Sequence, residues 1–462
     1  MGNLALARSG VLPFFILASL VVFFWARLAY GALAAVIAVG FFTLTPVVLA
    51  FSSLAYTDLP AAATQLIALF EFARWLETRN TRSALGLGVA LGLATLSKFT
   101  SLLFLPVACL AMVLCKLGLN QRVGSPKMLR VRWLAQIVMI ATIAAGLVWS
   151  GYRFDIGRFN ESMNLSPSAM PSFQHFPSPV AKLARTLVLN NPLVPAPELL
   201  SGIADSWLMN AEHSEAYLLG KERAGGWWYF FLLALLVKTP VPFLILAMLG
   251  LFYVFRSKQW IMIAPAAAAC AILLVTMGVK HDAGLRHVLV VYPLLAIVSG
   301  HAGARLWKYK PLAAKLFVVL LLCWQAISSI RARHDYIAYF NEFAGNDPSH
   351  VLITGCDLDC GQDMLRLSSE LAKKHISKIS IAAWTTADLS RLGLPDFQVR
   401  QPAQPVTGWV AISLRSQRMG DAFHSSYGPE AFAWLLKYRP VEQIGSTIRL
   451  YYIPSDAANQ TR

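Results

Sequence analysis

Asp58, in the stretch AYTDLP, lies between two apolar runs, and Lys98, Lys238, Lys280, His281, Arg286 and His287 lie at the ends of others. A charge placed where an apolar run meets water costs free energy, so each is a functional candidate by default. A carboxylate in such a place can take a proton from a hydroxyl or orient it. It can equally cap a helix, because Pro60 suits the first turn of a helix starting behind Asp58. The six cations form a rim whose fitting ligand is an anion, such as a phosphate or pyrophosphate on a lipid headgroup. Arginine forks phosphate oxygens in two bonds, and lysine adds a point charge. The plain alternative for each lysine is a long side chain snorkelling to an interface.

The elements that must position these residues are membrane spans. Of 462 residues, 56% are hydrophobic and 14% charged, and mean hydropathy is +0.55, far from the usage of a soluble chain. Apolar runs of about 18 to 22 residues recur, each long enough to cross about 30 Å of hydrocarbon. They fall near 11 to 29, 32 to 54, 60 to 77, 84 to 97, 100 to 116, 133 to 152, 228 to 255, 260 to 278, 287 to 304 and 313 to 330, which predicts about ten spans. The run at 228 to 255 exceeds one straight span, and Lys238, Thr239 and Pro240 divide it into an aromatic interfacial start and a span proper. The pair at 84 to 97 and 100 to 116 is short enough to be re-entrant. Gly88 and Gly92 form a G-x-x-x-G, the spacing of close helix packing.

Net charge is +16, but the basic residues cluster in short loops between spans and not along one face, which sets nucleic acid aside. Alternate loops carry Arg27; Arg74, Arg79 and Arg82; Lys116, Arg122, Lys127, Arg130 and Arg132; Arg256 and Lys258; Arg305, Lys308 and Lys310. Those about fourteen cations oppose about six on the other side, so the positive-inside rule puts them in the cytoplasm. The loop 153–227, with acids Asp155, Glu161, Glu198, Asp205, Glu212 and Glu215, is then outside and suited to hold an acceptor or simply solvated. Met1 falls outside too, without a cleavable signal of the usual form. Either a very short tail is translocated, or a further span and outer loop precede.

Past residue 350 the texture changes. Short β-rich runs (VLIT, ISKISIAA, GWVAISL, TIRLYYI) alternate with MLRLSSELAKK and PEAFAWLLKY, which predicts a small α/β domain. The expected division is 1–335, a transmembrane domain including the outer loop 153–227, and 336–462, a soluble extracytoplasmic α/β domain. Cys109, Cys115, Cys270 and Cys323 lie in apolar runs, while Cys356 and Cys360 could close a disulfide outside the cytoplasm or stand as two thiols. No metal-ligand spacing is spelled, and whether a divalent metal takes part stays unassigned.

YTDLP (Tyr56–Pro60), LSKFT (Leu96–Thr100), AYLLGKERAGGWWYFFLLALLVKTPVPF (Ala216–Phe243), GLRHVLVVYPLLAIVSG (Gly284–Gly300), YFNEFAG (Tyr339–Gly345), DLDCGQD (Asp357–Asp363) and the closing VEQIGSTIRLYYI follow one another over nearly the whole chain. In that order they resemble bacterial membrane glycosyltransferases related to the dolichyl-phosphate-mannose-protein mannosyltransferases, of the GT-C class. The family carries Trp where Cys360 stands, and an acidic residue, often an Asp-Glu pair, in a first outer loop upstream of the place of Met1. The resemblance implies a GT-C-like polytopic helical fold in the bacterial inner membrane, apparently lacking that first span and loop.

It also implies hexosyl or pentosyl transfer from a polyprenyl-phosphate-linked donor to an acceptor hydroxyl of a protein, lipid or glycan on the outer face. The acceptor needs a base, the anomeric centre becomes oxocarbenium-like, and the leaving phosphate needs cations. The upstream acid would be the principal base. Asp58 would orient the acceptor or share the proton work, and Lys238, Lys280 and Arg286 would hold the lipid phosphate. A transporter or flippase of lipid-linked sugars would use a similar basic cavity, although no internal repeat is evident. A catalytically inactive relative retained for binding is the other alternative.

Overall fold

The computed structural model describes residues 2–119, 127–159, 182, 186, 189–211, 215–282, 284–399, 405–419 and 429–455. Arg122, Glu161 and Glu212 lie outside the described residues. The apolar runs form helices: α1 Gly2–Ser9, α2 Leu12–Tyr30, α3 Ala32–Thr43, α4 Pro46–Ser52, α5 Asp58–Thr78, α6 Thr81–Ser97, α7 Thr100–Gly118 and α8 Lys127–Gly151. They continue with α9 Pro197–Ala211, α10 Phe230–Lys238, α11 Val241–Phe255, α12 Trp260–Thr276, α13 Val291–Lys308, α14 Leu312–Arg331 and α15 Met364–Lys373. A helix or helix pair stands at each range expected to hold a span. Among the described residues Ala5–Tyr30, Thr100–Gly118, Arg132–Gly151 and Leu312–Arg331 are long and apolar enough to cross a membrane, and the pair α3–α4, bent by 67°, adds a fifth if it is one span. The others are shorter or carry more charge. Helix α7, half of the pair read as re-entrant, is thus long enough to cross.

Contacts divide the chain into two units. The first holds Met1–His213, Pro240–His281 and His287–Ser328, and the second holds Ser214–Thr239, Asp282–Arg286 and Ser329–Arg462.

In the first unit, the α3–α4 break has a cause and a remedy. Pro46 cannot donate an N–H into the preceding turn, which frees backbone groups, and Gln325 of α14 donates its amide to Leu44 O at 2.8 Å and Thr45 Oγ1 at 3.4 Å. Helices α6 and α8 meet through the G-x-x-x-G. A Cβ on Gly88 would lie 3.0 Å from Ile143 Cβ and 3.1 Å from Ile140 O, and one on Gly92 would lie 2.9 Å from Leu147 Cβ and 3.1 Å from Ala144 O. One turn on, the roles reverse, and Leu96 lies over Gly151. Small residues bring the backbones together where lipid offers no hydrophobic push. At the opposite end of α5, the half of Glu77 not facing solvent receives the buried Lys116 at 3.0 Å and the Trp260 indole N–H at 2.9 Å. Short strands β1 (Ile156–Arg158) and β2 (Leu193–Pro195) pair antiparallel.

In the second unit, hairpin β3 (Glu215–Leu218) with β4 (Lys221–Ala224) accompanies a five-stranded sheet of β5 (Lys378–Ala382), β6 (Asp396–Val399), β7 (Gly408–Ser413), β8 (Glu442–Ile444) and β9 (Ile448–Ile453). Its order is β6-β5-β7-β9-β8, with β5 parallel to β6 and β7, and β9 antiparallel to β7 and β8. Alternation gives it two apolar faces. Ile379, Ile381, Ala411, Ile448 and Leu450 meet Met364, Leu367 and Leu371 of α15, while Val410, Ile412, Tyr451 and Ile453 pack with Phe432 and Leu435 on the other side. The small α/β region is as expected, with differences of detail. VLIT makes no strand, only an isolated bridge from Leu352 to Leu218, and PEAFAWLLKY coils as a 3-10 helix over Pro429–Lys437. Strands β6 and β8 are added, each too short for alternation to reveal.

Gly92→Ile is expected to force α6 from α8 and to destabilise the protein by roughly 1–3 kcal/mol. Thermal unfolding in detergent measures this, and an unchanged midpoint counts against the close packing.

Candidate functional site

Helix α5 opens at Asp58, which is 4% exposed, and α6 ends at Ser97, leaving Lys98 extended (φ −167°, ψ 138°) before α7 begins. The Asp58 carboxylate accepts from Lys98 Nζ at 2.5 Å. Two further bonds join the same segments: Thr64 Oγ1 to Ser97 Oγ at 3.4 Å, and Gln65 Nε2 to Thr100 Oγ1 at 3.5 Å. Asp58 is therefore a first-turn residue of α5, where negative charge suits the helix dipole, and its side chain goes to the lysine, with no cap hydrogen bond. The structure brings together the sequence's candidate acid and one of its six candidate cations.

Lys280 is exposed, His281 and His287 are half-buried, and the two imidazoles lie edge to face with centroids 6.3 Å apart. All three belong to the first unit, as do Asp58 and Lys98.

The other two cations belong to the second unit. Lys238 is 2% exposed, and its ammonium donates to Ile337 O at 2.6 Å and to Asp357 O, with the Phe340 ring 4.2 Å away. A buried charge persists only where such acceptors replace water. The last carbonyls of α10 are orphans as at any helix end, and Asn341 takes them: its Nδ2 donates to Leu236 O at 2.5 Å and Thr239 O at 2.7 Å, and its N–H to Val237 O at 2.8 Å. Asp357 passes the connection on, because its carboxylate accepts the Leu285 N–H at 2.9 and 3.2 Å, next to half-buried Arg286. Gly284 (φ +99°) leaves no Cβ against that carboxylate. Burial raises Asp357 to a pKa of about 6, with Lys238 and the Leu285 N–H pulling it back.

The acids of DLDCGQD thus all accept backbone N–H groups, and Asp363 also takes the Arg366 guanidinium at 2.7 Å and the Thr447 hydroxyl at 2.8 Å. Asp359 accepts from Gly361 and Arg415 N–H groups at 3.1 and 3.3 Å, and Asp363 accepts Ser446 and Thr447 N–H groups at 2.9 Å each. Cys356 and Cys360 are bonded to each other across Asp357 and Asp359, which resolves the two readings of that pair. The half-buried Arg415 guanidinium stacks on Trp384 at 3.8 Å and donates to Gly355 O at 2.6 Å. Among the described residues, no group of three or more His, Cys, Asp or Glu could hold a metal ion.

One carboxylate escapes a reading of the sequence by motif. Asp282, 2% exposed, accepts the Trp227 N–H at 2.8 Å through Oδ2, while Oδ1 is buried without a hydrogen-bond partner among the described residues. Gly226 (φ +60°) makes this docking possible, since a Cβ there would collide with the carboxyl. Its signal in the sequence is an acid set among cations in KHDAGLRH, opposite a glycine pair in AGGWW.

These geometries can be set beside known proteins. Residues 7–149 match the family described as dolichyl-phosphate-mannose-protein mannosyltransferase. No curated protein sequence matches the chain. Among solved structures, ArnT from Cupriavidus metallidurans bound to undecaprenyl phosphate is 11% identical, over 96% of this chain and 83% of its own, with TM-score 0.46. The Archaeoglobus fulgidus oligosaccharyltransferase tethered with an acceptor peptide containing the NVT sequon is 13% identical, over 98% of this chain and 64% of its own, with TM-score 0.48. The AglB of the same organism, in complex with an inhibitory peptide and a dolichol-phosphate, is 14% identical over 95% and 61%, with TM-score 0.42.

Burial raises Asp282 from its usual 3.8 to about 7. Between those values the folded protein keeps a proton that the unfolded chain releases, so this group makes stability fall as pH rises through that window. Thermal midpoints at pH 5 and 8 should show the fall, and Asp282→Asn should flatten it; an undiminished slope in the variant assigns the effect elsewhere. Over residues 7–149, which hold both YTDLP and LSKFT, the chain is similar to the dolichyl-phosphate-mannose-protein mannosyltransferase family, as those motifs imply.

Proposed function

We propose that this chain is an integral membrane glycosyltransferase of the GT-C class, moving a sugar from a polyprenyl-phosphate-linked donor to an acceptor hydroxyl at the outer face. The observation that carries the reading is the Asp58–Lys98 pair at 2.5 Å, which joins the two family motifs inside the matched region. A buried carboxylate held by a lysine is fixed in place, ready to orient a hydroxyl or share its proton. Lys98 in turn brings a positive charge to the place where a leaving phosphate would need one. Lys280, His281, Arg286 and His287 are assigned to the lipid phosphate, with Arg286 suited to fork its oxygens. Lys238 is assigned a positioning role, because its ammonium is taken by two carbonyls and its partner Asp357 fixes the backbone beside Arg286. The C-terminal α/β unit is assigned to the outer side on the charge pattern of the loops.

Asp58→Asn in the full chain is expected to lower sugar transfer from a radiolabelled polyprenyl-phosphate sugar by about 10²-fold. Transfer at the wild-type rate would remove Asp58 from the site. Lys280→Gln, at an exposed position, is expected to raise the donor KM about tenfold with little change in kcat. If kcat falls instead and KM holds, Lys280 does not contribute ground-state phosphate binding.

A further inference from the structure

The α/β unit holds a cleft lined by none of the residues assigned to sugar transfer. It is about 920 Å³ and opens where the first residues of β5 and β7 and the last of β9 come together beside the end of α15. Its wall includes Lys374, Lys378, Gln398, Thr407, Trp409 and Tyr452. Trp409 and Tyr452 are direct cross-strand partners, with rings edge to face at 5.1 Å, and Tyr452 is 52% exposed although its neighbours along β9, Tyr451 and Ile453, are buried. An aromatic corner left open to water at the end of a sheet whose two faces are otherwise covered loses free energy unless something covers it.

The chemistry of the wall says what would. Pyranose rings present flat C–H faces that settle on aromatic rings, and their hydroxyls bond the amides, hydroxyls and ammoniums found here. Among the described lining residues there is no Asp or Glu, while Lys374, His375 and Lys378 line one side. Lys374 is shared with Glu442 at 3.0 Å, outside the lining, while Lys378, exposed and opposite Asp396 of β6, brings its charge to the same wall. A wall with aromatic faces, neutral donors and lysines but no carboxylate selects sugars carrying negative charge over neutral ones. We propose that this cleft is a non-catalytic binding site for an acidic oligosaccharide, held by stacking on Trp409 and Tyr452 and by charge on Lys378.

The site stands apart from the transferase reading, because it is tested without donor and with an Asp58→Asn protein in parallel. The full chain in nanodiscs is titrated with a fluorescently labelled hyaluronan hexasaccharide, whose uronic acids supply the charge, and with neutral chitohexaose. The expected result is saturable binding of the hyaluronan probe, weakened about tenfold by Tyr452→Ala. Lys378→Gln should weaken it about threefold, a difference that vanishes near 1 M salt, where screening acts over ~3 Å. Both side chains are exposed, so folding is checked simply by an unchanged thermal midpoint. Equal binding of chitohexaose, absence of hyaluronan binding, or binding that neither variant weakens overturns the proposal.

Discussion

The second unit depends on one buried ammonium. Lys238 closes helix α10 at the place where two other segments arrive, and its bonds to Ile337 O and Asp357 O fasten both. Asp357 then hands the constraint to Leu285 and Asn341 closes the helix end from the other side, so KTP, YFNEFAG, DLDCGQD and GLR are parts of one arrangement. In a low dielectric an ammonium with partners on several sides holds them strongly, and removal of any one partner leaves a charge or a carbonyl without compensation. That asymmetry is the physical reason four motifs distant in sequence are needed together.

The cations of the sequence therefore divide by what they touch. Lys98 meets a carboxylate, Lys238 meets carbonyls, and Lys116, read as a loop charge, is buried against Glu77 and Trp260. Charge type and position predicted that these residues matter at an apolar boundary, but the same residue type serves pairing, pinning or ligand binding according to which acceptors the fold supplies.

Much of the helical body was legible because its signals are local. Length and apolarity place each helix, and Gly88 with Gly92 announces a close neighbour, whereas the run 32 to 54 reads as one span and its bend at Pro46 shows only in the fold. Strands β5, β7 and β9 were legible for the same reason, by alternation. The pairing of Asp58 with Lys98 was not, since nothing local specifies a contact between residues forty positions apart; both were candidates, and only the fold joins them. VLIT misled because a β-rich run becomes a strand only if a partner strand lies alongside, and here Leu352 finds a single bridge. Asp282 was passed over because its burial depends on the missing side chain of Gly226, a residue more than fifty positions away.

The contact between α6 and α8 works as a ruler. Its teeth are Gly88, Gly92 and Leu96 on one helix, set against Ile140 and Ile143, Ala144 and Leu147, and Gly151 on the other. A slip of one residue would advance α6 by about 1.5 Å and turn it by about 100°, driving Leu87 or Val89 into a backbone that only glycine can approach. Ser97 is the last residue of that ruler, and Lys98 follows it directly. The depth at which the lysine meets Asp58 is thus measured off in whole helical turns from a scale of missing side chains.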